Sequence, residues 1–215
     1  MICMRPLLFI LIFFVHTALF PQGKKDDYTP VKDAGIVVNE LKTASTKINT
    51  IKSDFVQEKH LTFLNDIIIS KGKFWFKKEN QLRWEYMTPF EYVIVSDGEK
   101  FIIKDGNNIK EYDIRSNKVF QEINNLIISS VRGTLLEKAD FTFSVFENDD
   151  SYLVKMIPAK EEMFKVLKRI ELYFNKSDKN INSVKMVENE DDYTVISFVN
   201  KKINEAIPSD IFSVD

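Results

Sequence analysis

From Ile51 to Asp113 the chain alternates polar and apolar residues with a period of two, in runs separated by short turns. Ile51, Ser53, Phe55 and Gln57 alternate with Lys52, Asp54, Val56 and Glu58. A loop at Leu61 to Asp66 follows, and then a run from Ile68 to Lys78 with Gly72, Phe74 and Phe76 on one side. Beyond Glu79-Asn80, Leu82, Trp84 and Tyr86 alternate with Arg83 and Glu85 until Pro89 ends the run. Tyr92 to Ser96 is the next strand, and Asp97-Gly98 has the chemistry of a tight hairpin turn. Phe101 to Lys104 and Ile109 to Asp113 flank a second such turn at Asp105-Gly106-Asn107-Asn108. Successive side chains of a strand point to opposite faces, so each of these runs has one apolar side. Consecutive antiparallel strands joined by short turns make a meander, and strand twist curls a meander into a barrel or half-barrel.

Two segments depart from this period. Pro30 is expected to open a helix, where its missing N–H is harmless, with Ala34, Val37, Leu41, Ala44 and Ile48 forming one apolar stripe. Helical spacing returns from Val119 to Arg132 through Phe120, Ile123, Ile127 and Val131, and Gly133 is placed to end it. Strands are then expected at Phe141 to Glu147, Tyr152 to Pro158, Leu167 to Phe174, Asn182 to Glu188 and Tyr193 to Val199. The order is helix, strands, helix, strands.

Residues 1–23 are expected to be a secretory signal peptide, with Arg5 as its positive region and Leu7 to Phe20 as a short, mostly apolar stretch. That stretch is brief for a membrane span, though an uncleaved N-terminal anchor is the rival reading. Residues 24–215 then form a single domain. Cys3 is the only cysteine and lies before the apolar stretch, so the secreted chain would have no disulfide, thiolate metal site or cysteine nucleophile. With His16 removed, His60 stands alone, expected as a surface residue, which argues against multi-histidine metal sites and His-dependent triads. Lys and Arg number 30 against 32 acidic residues, so no basic footprint points to nucleic acid. The 18 Phe, 7 Tyr and 2 Trp imply either a large core or an apolar cavity, and composition does not choose between them.

Gly72-Lys73-Phe74-Trp75-Phe76-Lys77-Lys78, running on into Leu82-Arg83-Trp84-Glu85-Tyr86 and Ile94-Val95-Ser96-Asp97-Gly98, resembles the outer-membrane lipoprotein carrier family of the LolA type. Phe55-Val56-Gln57 fits that family's first strand, and Thr194 to Asn200 and Ile207 to Phe212 are similar to its closing strands. The resemblance implies a mainly β (α+β) fold: an incomplete antiparallel β-barrel with an N-terminal helix and a lid helix over the concave face. It implies a periplasmic carrier, without catalysis or cofactor, that hides the acyl chains of lipoproteins in an apolar cavity. Such a carrier takes its cargo from an inner-membrane ABC transporter, hands it to an outer-membrane acceptor, and is expected to act as a monomer.

On this reading the acyl-chain site comprises Phe55, Phe74, Phe76, Leu82, Trp84, Tyr86, Tyr92 and Ile94, with Leu126 and Ile127 from the lid. Lys78 stands where the family often has an arginine that latches the lid, and Glu79 where a proline commonly follows. Lysine keeps the charge but lacks the planar fork of donors, so a latch here would be built differently. Period-two aromatics are ordinarily plain core; the resemblance is what favours a cavity. The alternatives are a related periplasmic carrier or sensor for another lipid cargo, and an envelope scaffold that binds no ligand. A hydrolase using Glu58, Glu85 or Glu91 comes last, since glycoside hydrolysis needs two carboxyls at a set separation.

Overall fold

A computed structural model describes residues 27–78, 80–114 and 140–214. Among these residues twelve strands form one sheet in the order β1-β8-β9-β10-β11-β12-β2-β3-β4-β5-β6-β7, every neighbouring pair antiparallel. The strands are β1 (Thr29–Pro30), β2 (Thr50–His60), β3 (Ile68–Lys77), β4 (Gln81–Thr88), β5 (Tyr92–Ser96), β6 (Lys100–Asp105) and β7 (Asn108–Asp113). They continue as β8 (Phe141–Glu147), β9 (Ser151–Pro158), β10 (Arg169–Asn175), β11 (Ile181–Val187) and β12 (Tyr193–Ile203). The sheet is not closed: β1 and β7 are its two ends. It is two meanders, β2 to β7 and β8 to β12, fused where β12 pairs with β2.

Cross-strand partners share a face, so the registers define the apolar side without ambiguity. Val145, Val154, Leu172, Val184 and Ile196 stand opposite one another in turn, and Ile196 faces Gln57 across the seam. Over the β8–β11 half of this inner face lies α1 (Ala34–Thr46), whose Val37, Val38 and Leu41 join Val154, Met156, Ile170 and Leu172 in one core cluster. The other half carries a second cluster built on Ile51, Phe55, Phe74, Phe76, Leu82, Trp84 and Ile196. One continuous apolar face thus has a helix on one half and a field of rings on the other.

Pro30 does not open the helix. It lies in β1 opposite Phe146, and Asp33 is the N-cap, its Oδ1 accepting from the Ile36 N–H at 3.1 Å. An aspartate cap satisfies one of the free N–H groups of the first turn, and it outcompetes a proline that has a sheet edge to join. Two further elements differ from expectation. Glu161–Val166 forms a short helix, α2, on the way to β10, and Ser209–Phe212 is a 3-10 helix rather than a strand. That last turn packs on the outer face of β4, where Arg83 Nη1 donates to the Ser213 carbonyl at 3.1 Å and Phe212 is buried. No helix among the described residues is long and apolar enough to cross a membrane. Residues 1–23 and the expected lid at 119–132 lie outside the described residues.

Candidate functional site

The eight expected site residues of β2 to β5 fall on the inner face, in three rows that run across the strands. Ile51, Phe76, Leu82 and Ser96 are opposite one another nearest the β3–β4 turn. Ser53, Phe74, Trp84, Ile94 and Ile103 make the middle row. Phe198, Phe55, Gly72, Tyr86 and Tyr92 make the third, toward the β2–β3 and β4–β5 loops. Gly72 is the gap that lets the Phe55 ring lie across β3, since a Cβ there would sit 2.8 Å from that ring. Phe55 packs edge-on to Tyr86 at 5.0 Å and tilted against Trp84 at 5.1 Å between centroids. Phe74 meets Trp84 at 5.0 Å, and Tyr86 stacks on Tyr92 at 4.2 Å.

Burial divides the site. Phe55, Phe74, Phe76, Leu82 and Trp84 are buried, whereas Tyr86, Tyr92 and Ile94 are half-buried. The floor is therefore packed at the β3–β4 end and opens toward the opposite rim. Polarity follows the same direction. From β2 to β4 the innermost row offers aliphatic and phenyl groups, with the buried Ser96 at its β5 end, while in the third row the Tyr86 hydroxyl donates to Gln57 Oε1 at 2.9 Å. Burial first, then the neighbouring Tyr92, pushes the Tyr86 phenol far above its ordinary range, so the hydroxyl remains a neutral donor. Burial likewise raises the Tyr92 phenol, and the neighbouring Tyr86 hydroxyl works against that rise.

Trp84 Nε1 is the exception to this satisfied pattern. Among the described residues it is the buried side-chain polar atom without a hydrogen-bond partner. Leaving a donor in that state costs about 1–3 kcal/mol.

Alternation carried into β12 would also have found Phe198 and Ile196, which complete the floor beyond β2. Gln57 was legible as an inner-face position but not as the partner of Tyr86. Lys78 is exposed in the β3–β4 turn, where its N–H donates to the Asn49 carbonyl at 2.7 Å. Leu126 and Ile127 lie outside the described residues. His60 is not a bare surface residue: its ring stacks on Tyr193 at 4.2 Å and it is half-buried. Glu85 is engaged by Arg83 Nε at 2.9 Å, and no cluster of metal-ligating side chains occurs among the described residues.

Comparison with known proteins places this geometry. The model of the family described as "Outer membrane lipoprotein carrier protein LolA" matches residues 46–215. An outer-membrane lipoprotein carrier protein of Alkalilimnicola ehrlichii is 29% identical over 69 residues, covering 32% of each chain, so the match spans about a third of that relative. A chain of the MucA/MucB complex of Pseudomonas aeruginosa has a similar fold, with a TM-score of 0.52 at 12% identity, over 84% of this chain and 60% of that one. An uncharacterized conserved protein from Thermus thermophilus aligns with a TM-score of 0.51 at 8% identity, over 84% of this chain and 93% of that one. At such identities the two structures speak for the fold alone. The family match spans β2 through β12, the strands that carry the aromatic floor, and this chain belongs to the LolA family of outer membrane lipoprotein carrier proteins.

Proposed function

We propose that this chain is a periplasmic carrier that holds the acyl chains of lipoproteins against the inner face of its open sheet. Residues 1–23 are its signal peptide and residues 24–215 its single carrier domain. It receives cargo from an ABC transporter of the inner membrane and delivers it to an acceptor at the outer membrane. The observation that carries this reading is the continuous floor of Phe198, Phe55, Phe74, Trp84 and Tyr86 across four adjacent strands, buried at one end and half-exposed at the other. Membership of a family of lipoprotein carriers supports it.

The physical demand on such a carrier is plain. Each exposed methylene costs roughly 0.8 kcal/mol, so an anchor of several acyl chains does not cross water unaided. Ring and aliphatic contacts spread the attraction over many weak pairs, which lets the cargo slide out as it slid in. Phe55, Tyr86 and Tyr92 sit where a chain entering from the open rim first meets rings. No residue is assigned a catalytic role and no cofactor is required.

The test is direct. The purified protein is mixed with a synthetic triacylated lipopeptide and separated by size. A folded monomer carrying lipopeptide in a fixed ratio is the expected result. A folded protein that never co-elutes with the lipopeptide rules the carrier reading out.

A further inference from the structure

The buried indole of Trp84 has an N–H with nothing to donate to, and its surroundings say what would satisfy it. Trp84 is 7% exposed and is ringed by Phe55, Phe74 and Phe198, which accept no conventional hydrogen bond, and by Tyr86, whose hydroxyl is turned to Gln57 and not bonded to the indole. Buried donors in folded proteins are nearly always paired, so an orphan on the inner face of a binding fold is a group awaiting its acceptor. Position narrows the acceptor further. The row on one side of Trp84 is apolar across β2 to β4, through Ile51, Phe76 and Leu82, and ends on β5 at Ser96, whose Oγ is already taken by the Gly98 N–H, while the row on the other side carries the Tyr86–Gln57 hydrogen bond. Trp84 therefore lies at the boundary between a hydrocarbon-like region and a polar one.

A lipid that follows this gradient has its chains along the apolar row and its linkage at the boundary. We propose that Trp84 Nε1 donates a hydrogen bond to an ester carbonyl oxygen of the bound lipid. The donor sets the depth and direction of the cargo: methyl ends point toward the β3–β4 turn and the glyceryl or cysteinyl end toward the β2–β3 and β4–β5 loops. It also selects for chemical class, since a saturated chain joined by an ether has no strong acceptor at that depth. Entry requires the rings packed on Trp84 to part, and the half-buried Tyr86 and Tyr92 lie on the side from which they can be displaced. This proposal rests on the carrier reading and adds an acceptor to it.

The experiment compares two lipopeptides of equal chain length, one with palmitoyl ester linkages on its S-glyceryl cysteine and one with hexadecyl ether linkages. The protein as found is expected to bind the ester roughly five- to tenfold more tightly than the ether. Trp84→Phe keeps an aromatic ring but removes the N–H, and is expected to bind both at the ether's level. With a 13C-labelled ester carbonyl, the infrared stretch should move to lower frequency in the complex with the protein and not with Trp84→Phe. Trp75, on the opposite face of the sheet, serves as the control: Trp75→Phe should leave the discrimination intact. Equal affinity for ester and ether, with an unshifted carbonyl band, overturns the role of Trp84 and leaves the carrier reading standing. Failure of a folded protein to bind either lipid overturns both. Should Trp84→Phe not fold, the ester and ether affinities of the unsubstituted protein still decide.

Discussion

At Gly72 an added Cβ would lie 1.9 Å from the Glu85 carbonyl oxygen and 2.8 Å from the Phe55 ring. The first of these neighbours is backbone and cannot swing away, and the register between β3 and β4 already shifts at this position. Gly72→Ala is expected to destabilise the fold by about 1–3 kcal/mol through overpacking, read from the midpoint of urea unfolding. A midpoint unchanged from the parent would mean that the Phe55 ring does not lie across β3. Glu171 offers a test of a different kind on the outer face. Burial alone would raise its carboxyl, but hydrogen bonds from Arg169 at 2.8 Å and from the Tyr173 hydroxyl at 2.8 Å outweigh burial and hold it below its ordinary 4.5. A depressed folded-state value means the ionised form is favoured by folding, so this stability is fully present above pH 4.5 and fades as pH falls through the lower folded value. Glu171→Gln should therefore flatten the acid limb of the stability profile below about pH 4.5, with the parent losing more between neutral and acid pH. None of this was readable in the chain, because Glu171 and Arg169 are ordinary alternating charges until the pairing with β11 brings Glu190 to the same guanidinium at 2.8 Å.

Most strands were legible as elements, and the reason is their turns. Gly98 and Gly106 supply the positive φ that tight hairpins need, and the alternation on either side of them fixes which face is apolar. The boundaries that escaped are those decided by distant partners. β12 runs on to Ile203 because a bulge between Val199 and Lys202 restores its pairing with β2, and Ser53 Oγ donates to the Val199 carbonyl at 2.8 Å to hold it. α1 starts at Ala34 and not at Pro30 because β1 claims Pro30 for a pairing with Phe146. At the other end of α1, Asn204 acts across the molecule: its Oδ1 accepts from the Asn49 N–H at 2.7 Å and its Nδ2 donates to the Lys47 carbonyl at 3.0 Å. Its own backbone has φ of 61° and its N–H donates to the Thr50 carbonyl at 2.9 Å. The side chain thereby fastens the α1–β2 turn to the end of the closing strand. Asn204→Ala should lose both the bonds and the tolerance for positive φ, at about 1–2 kcal/mol, whereas Asn204→Gly should recover the backbone part only. Thermal unfolding of the pair separates the two contributions, and equal midpoints for Ala and Gly would remove the backbone part from this account.

Among the described residues, several large exposed apolar groups gather at one end of the sheet. The β2–β3 loop presents Phe63 and Leu64, the β4–β5 loop presents Phe90, and Ile67, Ile68 and Met87 lie beside them. The connection from β9 to β10 adds Phe164 and Val166 at the same end of the sheet. Sequence alone placed the aromatic floor on one face but not these groups at one rim, since their assembly depends on which loops the β12–β2 seam brings together. The opposite end, at the β3–β4 turn, is closed over by the buried Phe76 and Leu82. Apolar surface of this extent usually marks a site of contact with something apolar, and here it adjoins the half-buried Tyr86 and Tyr92 where the floor opens. Under the carrier reading the rim is the threshold a fatty chain crosses, while the buried rows set how tightly it is held. The two roles separate in kinetics. Phe63 and Phe90 are each 77% exposed, so Phe63→Ser with Phe90→Ser should leave stability within about 0.5 kcal/mol of the parent. Lipopeptide uptake followed by stopped-flow fluorescence should slow several-fold in this variant, with dissociation slowed in similar proportion and the equilibrium affinity nearly unchanged. Substitution in the floor, such as Phe74→Leu, should do the reverse by weakening affinity through faster dissociation. If instead the rim variant loses affinity as strongly as the floor variant, the loops are part of the holding surface and the threshold assignment fails.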